Sequence, residues 1–496
     1  MTISVTHAEK AAAPLRGLLP LWVGLAIYAL LLVAGNALLN DPDTLWQITV
    51  GQWILDHHTV PIIDIYSFTM RGTPWISTEW LAQVMYAAVY DWAGWAGPVI
   101  LAALSVAATF ALFTRYLAAR FSGMATLVFA SAALALMAPH LLARPHVLAM
   151  PPMVLWIGGL IAAADRREAP SFRLLPWMAL WANLHGSFVF GLMMVGPIAL
   201  DAILGAEQSA RKALLIRWAV FGVAALLASC CTPYGWNVLL ASAKILSLGA
   251  ALPLIIEWRP QDFGSVSVFE LCLLLGIALV LHRGVRLPPM RIVMLLGLLH
   301  MALSQNRAAE ILALVAPLVL AAPLARQIGA ADISAGEMAP RSRALLACIC
   351  AAFLAGSALF ASLRTYAPNG HDAPAAAVAA LKKLKITRVF NDYDFGGYLI
   401  ASGVAPFIDG RTELYGEKFF VDYSVASDLK DPDKFFYLLD RYGIQATLLR
   451  TQSAANKLLD HVDGWQKVYS DKVATIHLRK PGARHTREPA VDPTTK

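Results

Sequence analysis

The stretch Leu19-Pro-Leu-Trp-Val-Gly-Leu-Ala-Ile-Tyr-Ala-Leu-Leu-Leu-Val-Ala-Gly-Asn-Ala-Leu-Leu-Asn-Asp-Pro-Asp43 decides how the chain is read. Residues 19 to 39 carry no charge and, as a helix, are long enough for a hydrocarbon core of roughly 30 Å; two carboxylates, Asp41 and Asp43, follow at once. The pattern recurs along the 496 residues. Hydrophobic residues make up 58% and charged residues 15%, against about 25% charged in soluble domains. The mean hydropathy is +0.58. This excludes a soluble enzyme, a disordered chain, a disulfide-stapled scaffold and a coiled coil.

Apolar segments of spanning or near-spanning length fall at about 19 to 39, 94 to 116, 123 to 139, 146 to 163, 172 to 183, 187 to 204, 214 to 230, 266 to 282, 290 to 304, 308 to 324 and 343 to 361. The expectation is a polytopic α-helical membrane protein with about 11 transmembrane helices over residues 19 to 361. Residues 1 to 18 are polar, carry Lys10 and Arg16, and lead into an apolar stretch without a small-residue cleavage site, which reads as a signal anchor with a cytoplasmic N-terminus.

The net charge of +7 records topology rather than nucleic-acid binding. With the N-terminus inside, alternate loops carry Arg115 and Arg120; Arg166, Arg167 and Arg173; Arg211, Lys212 and Arg217; Arg283, Arg286 and Arg291; and Arg326, Arg341 and Arg343. The opposite loops hold Asp41-Pro-Asp43, Ala143-Arg-Pro-His146, Asn183-Leu-His-Gly186, Thr232-Pro-Tyr-Gly-Trp236, Glu257-Trp-Arg-Pro-Gln-Asp262 and Gln305-Asn-Arg307. The candidate functional groups thus gather on one face. An odd number of crossings exports residues 362 to 496, which places the chemistry outside the cytoplasm, in the periplasm if the membrane is a bacterial inner membrane. Cys230, Cys231, Cys272, Cys348 and Cys350 show neither ligand spacing nor a nearby histidine, which argues against zinc and structural disulfides.

The first extracytoplasmic loop, 40 to 93, is longer than connection requires. Within it, residues 44 to 55 mix tryptophans with polar groups in the manner of a helix lying in the membrane interface. Residues Ile76 to Trp92 form a second helix, re-entrant, interfacial or crossing. Residues 362 to 480 alternate helix and strand signals and read as a small α/β domain; residues 481 to 496 read as a disordered tail.

Asp41 and Asp43 are costly so close to hydrocarbon unless they bind a cation or move a proton, although Asp43 also suits the N-cap of the helix from Thr44. Arg144, His146, His185, Arg259 and Arg307 stand at the mouths of apolar segments and as a set suit a phosphate; singly, each reads equally well as a headgroup contact. Glu79, Asp394, Asp409 and Arg411 are candidates for an acceptor site. Asp394 and Asp409 lie in Asn391-Asp-Tyr-Asp-Phe-Gly-Gly397 and Ile408-Asp-Gly-Arg-Thr-Glu413, a pattern that turn chemistry alone could produce and in which aromatics beside carboxylates also suit sugar recognition.

The acidic first loop, Asn40-Asp-Pro-Asp-Thr-Leu-Trp46, with Val60-Pro61, Gly72-Thr-Pro-Trp-Ile-Ser-Thr-Glu-Trp-Leu81 and an exported C-terminal domain, resembles the GT-C membrane glycosyltransferases. It is similar to protein O-mannosyltransferases, lipid A aminoarabinose transferases and the catalytic subunit of oligosaccharyltransferase. The resemblance implies an inverting transfer of a sugar from a polyprenyl-phosphate donor to the hydroxyl of an extracytoplasmic glycan, lipid or protein. Asp43 or Asp41 would then be the base, or hold a divalent cation such as Mg or Mn, and Arg144 and Arg307 would hold the phosphate. Asp392-Tyr-Asp-Phe-Gly-Gly-Tyr398 is similar to the Trp-Trp-Asp-Tyr-Gly acceptor motif of oligosaccharyltransferase but lacks both tryptophans. A flippase of lipid-linked glycans, with charges along a path across the bilayer, and a non-catalytic assembly protein are the competing expectations.

Overall fold

The computed structural model describes residues 17–329, 340–368 and 370–482. The expectations for residues 1–16, for the side chains of Arg341 and Arg343, and for most of the tail, 483–496, lie outside the described residues. The chain divides into two compact units: a helical unit of Met1–Leu38, Trp92–Leu239 and Ile256–Tyr366, and a mixed unit of Leu39–Asp91, Leu240–Ile255 and Ala367–Lys496. The long first loop therefore belongs with the C-terminal domain, not with the spanning helices among which its position in the sequence placed it.

In the helical unit every expected apolar segment is a helix, from Leu19–Val33 through Ala96–Ala118, Pro145–Asp165 and Ala309–Gln327 to Pro340–Leu363. Fewer of them are full spans. Among the described residues, six helices are long and apolar enough to cross a membrane, or seven if the bent pair Asn237–Lys244 and Ser247–Leu254 counts as one span. Leu19–Val33, Phe188–Leu204 and Pro289–Ser304 are apolar but shorter. Leu175–Leu184, at ten residues, reaches only about 15 Å at 1.5 Å per residue, about half the hydrocarbon thickness. The expected count of eleven spans thus resolves into long spans and shorter apolar helices, because periodicity marks apolar helix but not its length.

Pro145–Asp165 lies at the centre of this unit, with its proline at the first helical position and residues buried all round, including Val147, Val154, Trp156, Leu160 and Ala164. Gly158 permits one of its close packings, since a Cβ there would meet the Tyr116 ring at 2.5 Å. Gln208–Ser229 and Val268–Arg283 instead expose Leu215, Ile216, Val223 and Leu227, and Leu271, Leu274, Leu275 and Leu281. So much contiguous apolar exposure is unfavourable in water and suits contact with lipid.

At the C-terminal end of Pro145–Asp165, Arg291 is almost wholly buried and bridges Asp201, at 2.9 Å from Nε, and Asp165, while its Nη1 donates to the Val319 carbonyl at 2.9 Å. Arg291, counted from sequence among the cations of a cytoplasmic loop, is a buried clamp between three helices. A charge this deep is tolerated because its donors are met by carboxylates and a backbone carbonyl.

The mixed unit is built on a four-stranded sheet of β1 (Val389–Asn391), β2 (Ala446–Arg450), β3 (Trp465–Ser470) and β4 (Ala474–Arg479), in the order β1-β2-β4-β3. β1 pairs parallel with β2, and the other pairings are antiparallel. Pro406 joins β1 by a single bridge, to Val389. A helix absent from the sequence reading, Ala454–Leu459, starts at Ser453, whose hydroxyl accepts the Asn456 N–H.

The first loop supplies helices Thr44–His57 and Trp80–Ala93. Trp46, Val50, Ile54 and Trp75 share one core with Phe390, Ile400, Phe407, Ile408, Leu414 and Tyr415. The Thr44–His57 helix is therefore not simply laid in a membrane interface: its apolar residues are taken up by protein. The next helix begins at Trp80, not Ile76, and its 14 residues give about 21 Å, too short to span.

Candidate functional site

In the mixed unit the acidic end of the first loop is held by hydrogen bonds. Asp41 is buried; Oδ1 accepts the Asp43 N–H at 3.0 Å and Oδ2 the Thr44 hydroxyl at 3.1 Å. Asp43 occupies the N-cap position without making a side-chain cap. Its Oδ1 accepts the Trp46 indole N–H at 3.0 Å instead. Capping thus does not account for Asp43. A Cβ on Gly410 would lie 2.1 Å from Asp43 Oδ1, so the Asp409-Gly-Arg411 loop packs directly on this carboxylate and any side chain there would displace it.

That loop is fixed from below by a buried ionic group. Arg411 Nε and Nη2 donate to Asp409 at 2.8 and 2.7 Å, and Nη1 donates to Asp64 at 2.7 Å. Asp64 also accepts the Ser67 hydroxyl at 2.6 Å, and Asp409 the Tyr415 hydroxyl at 2.7 Å. The guanidinium lies over Trp75 and Tyr66, at 4.8 and 5.3 Å from their ring centres. Burial raises the Asp409 carboxyl, but Arg411 outweighs it and keeps the pKa below the ordinary value. The side chains of Arg411, Asp409 and Asp64 are 0% exposed. The acceptor contacts expected of Asp409 and Arg411 are thus already made within the protein; these residues secure the loop against which Asp43 rests.

Glu79 accepts from Gln47 Nε2 at 2.7 Å, and Gln47 Oε1 accepts from Gln83 at 2.7 Å. Asp394 pairs with Arg450 at 2.6 Å, which also holds Asp372 at 2.6 Å. Burial and the charge of Asp394 push the neighbouring Asp392 carboxyl up to about 6.

In the helical unit, three separate chain segments bring together Arg144, Glu257 and Arg307. Arg144 Nη1 donates to Glu257 Oε1, and Arg307 Nη1 donates to Oε2 at 3.0 Å. The side chains are 13, 26 and 26% exposed for Arg144, Arg307 and Glu257. Burial would raise the Glu257 carboxyl, but the two arginines overcome it and hold it at about 2. The loops are tied through their backbones: the Asn306 N–H donates to the Arg259 carbonyl at 2.8 Å and Gln261 N–H to the Leu303 carbonyl at 3.0 Å. Arg259 itself is exposed.

Two of the expected phosphate ligands also make contacts within the protein. His146 is buried, its Nε2 lying 3.2 Å from the His140 carbonyl oxygen and 3.6 Å from Glu310 Oε1. His185 Nδ1 accepts the Ser187 N–H at 3.1 Å, so the neutral ring carries its proton on Nε2. Glu257, Glu310 and Asp64 were not singled out from sequence. Glu310 carried the clearest signal, a carboxylate inside an apolar helix; Glu257 and Asp64 read as ordinary loop acids.

No group of three or more His, Cys, Asp and Glu side chains is placed to hold a metal ion among the described residues. Asp41 and Asp43 offer two carboxylates, a number that suits Mg only where substrate phosphate and water complete the shell.

With this geometry in view, the fold can be assigned to a class: it is the GT-C fold of polytopic membrane proteins. The archaeal oligosaccharyltransferase AglB from Archaeoglobus fulgidus, in complex with an inhibitory peptide and a dolichol-phosphate, aligns over 92% of this chain and 74% of its own, with TM-score 0.50 and 11% identity. The apo form of an oligosaccharyltransferase from the same organism covers 93% and 75%, with TM-score 0.48 and 11% identity. No protein-family model and no curated protein sequence matches the chain.

Proposed function

We propose that the protein is an integral membrane glycosyltransferase that moves a sugar from a polyprenyl-phosphate donor to an extracytoplasmic hydroxyl with inversion. The observation that carries the reading is the convergence of Arg144 and Arg307, far apart in sequence, on one carboxylate at the mouths of two apolar helices. Two guanidiniums so arranged suit a phosphate whose lipid tail stays in hydrocarbon. The fold shared with AglB, which was solved with a dolichol-phosphate, supports this class of donor.

In the reaction the acceptor hydroxyl attacks the anomeric carbon. The bond from that carbon to the phosphate oxygen breaks, the electron pair stays on phosphate, and the hydroxyl proton passes to Asp43, with Asp41 fixing the turn that carries it. Arg144 and Arg307 stabilise the charge that grows on the departing phosphate. Asp41 and Asp43 are the carboxylates that would meet a Mg or Mn ion, which would supply charge neutralisation there. Asp394 and Glu79 are proposed to face the acceptor; His185, Arg259 and His146 support the phosphate end indirectly. The placement is the inner membrane of a bacterium, with active face and C-terminal domain periplasmic.

A flippase would use charges at both ends of the helices. The Asp165, Arg291 and Asp201 group does stand at the other end of Pro145–Asp165, but its charges are sealed against one another, which favours a clamp over a path. The test is release of polyprenyl phosphate by purified protein given a polyprenyl-phosphate sugar and an envelope acceptor. Release that persists in the Asp41→Asn, Asp43→Asn double variant would overturn the assignment of the base.

A further inference from the structure

Glu257 is the feature of the helical unit that the proposed reaction does not use. It is an acid standing where an acid is least expected, between the two arginines that the reading above gives to the donor phosphate. Each of its oxygens takes one guanidinium, Oε1 that of Arg144 and Oε2 that of Arg307. It stays ionised over the working pH range because the two cations hold it at about 2. A phosphate presents the same kind of paired oxygens to the same N–H groups.

The three residues are attached to different segments, yet the backbone of the Glu257 loop is bonded to that of the Arg307 turn through Asn306 to Arg259 and Gln261 to Leu303. The Glu257 loop and the Arg307 turn are thus held together by their backbones, Arg144 reaches the same carboxylate from a third segment, and like charges brought this close need an anion between them. Partial exposure matters here. A pair sealed from solvent cannot trade partners without leaving a bare charge, whereas one open by about a quarter can.

Resting on the donor-phosphate reading, we propose that Glu257 is an internal stand-in for the donor phosphate: it occupies the seat between Arg144 and Arg307 in the empty site, yields it to the donor, and retakes it to expel the lipid phosphate product. The charge balance makes the second half necessary. Breaking the bond from sugar to phosphate turns a phosphodiester with one negative charge into a monoester that carries up to two, so the product grips the arginines harder than the donor did. A competing carboxylate offsets that grip. Glu257 is a positioning residue, since it acts through the arginines and touches no reacting atom.

The test is calorimetric binding of farnesyl phosphate, a short polyprenyl monoester, to the full-length protein in detergent, with steady-state transfer measured beside it. Glu257→Gln should tighten binding by about tenfold or more, the scale of one charge-assisted hydrogen bond, while lowering both kcat and the donor KM. Equal or weaker binding in Glu257→Gln, with wild type binding normally, would mean that the carboxylate merely braces the arginines, and the inference falls while the glycosyltransferase reading stands. Failure of wild type, Glu257→Gln and the Arg144→Ala, Arg307→Ala double variant alike to bind would remove both. Glu257→Asp keeps the charge on a shorter arm and should tighten binding a few-fold. It decides the matter if Glu257→Gln does not fold, unchanged or weaker binding again overturning the inference.

Discussion

Arg411 and Arg307 make the same contact, guanidinium to carboxylate, in two settings. In the mixed unit Arg411, Asp409 and Asp64 have no exposed side-chain surface, and every donor group of the guanidinium has a protein acceptor. In the helical unit Arg307 and Glu257 are each about a quarter exposed, and one carboxylate serves two arginines. The first arrangement is closed and sets one guanidinium against two carboxylates; the second sets two guanidiniums against one carboxylate at a mouth. Desolvation makes the difference functional. A sealed pair is costly to break and has nothing to exchange with, while a half-open group with two guanidiniums on one carboxylate has the openness that the proposed anion exchange requires.

The contrast is broken most directly at Arg411. Arg411→Ala leaves Asp64 and Asp409 as buried charges without a countercharge, and should destabilise the mixed unit by about 3 to 5 kcal/mol, read as a large fall in melting temperature and early proteolysis of that part of the chain. A small change would mean that the group is not sealed. Asp43→Asn should leave folding and insertion intact and cut sugar transfer by roughly 10²- to 10⁴-fold, the usual contribution of a general base. Arg307→Ala, in contrast to Arg411→Ala, should hardly alter the melting temperature while weakening farnesyl phosphate binding about tenfold or more. Equal thermal effects at the two arginines would erase the distinction drawn between them.

Smaller effects sharpen the mixed unit's side. Gly410→Ala places a methyl group on Asp43 Oδ1 and should lower kcat several-fold through a displaced carboxylate, at the cost of an off-rotamer side chain, about 1 kcal/mol. Finally, Asp392 has its pKa raised by burial and by Asp394 from 3.8 to about 6. The folded form therefore holds a proton that the unfolded form has lost: this contribution to stability is complete below pH 3.8 and fades as pH rises through about 6. Asp392→Asn should flatten the melting profile of the mixed unit across that window.

Reading these two regions from sequence succeeded where the signal was local. The eleven apolar segments all return as helices, and the region from 362 to 480, with its alternating helix and strand signals, carries the four-stranded sheet and its helices. Arg144 and Arg307 stood out from sequence as members of a set suited to phosphate; that they meet on Glu257 was not legible there. A residue whose meaning depends on its partner carries no such local mark. Arg291 in a basic loop and Arg411 beside Asp409 gave no sign that one would be clamped between helices and the other sealed under a loop. Glu257 was one more polar letter in its segment until two guanidiniums bracketed it.

Composition and spacing by themselves determined that this chain is helical, apolar enough for a bilayer, and acidic just after its first apolar segment, because hydrophobic transfer and helix geometry act on neighbours in sequence. Tertiary structure alone decided that the first loop shares a core with residues some 350 positions away, that Asp43 rests on Gly410, and which arginines are sealed and which half open. Charge pairing and desolvation act through space, over distances that chain order does not record.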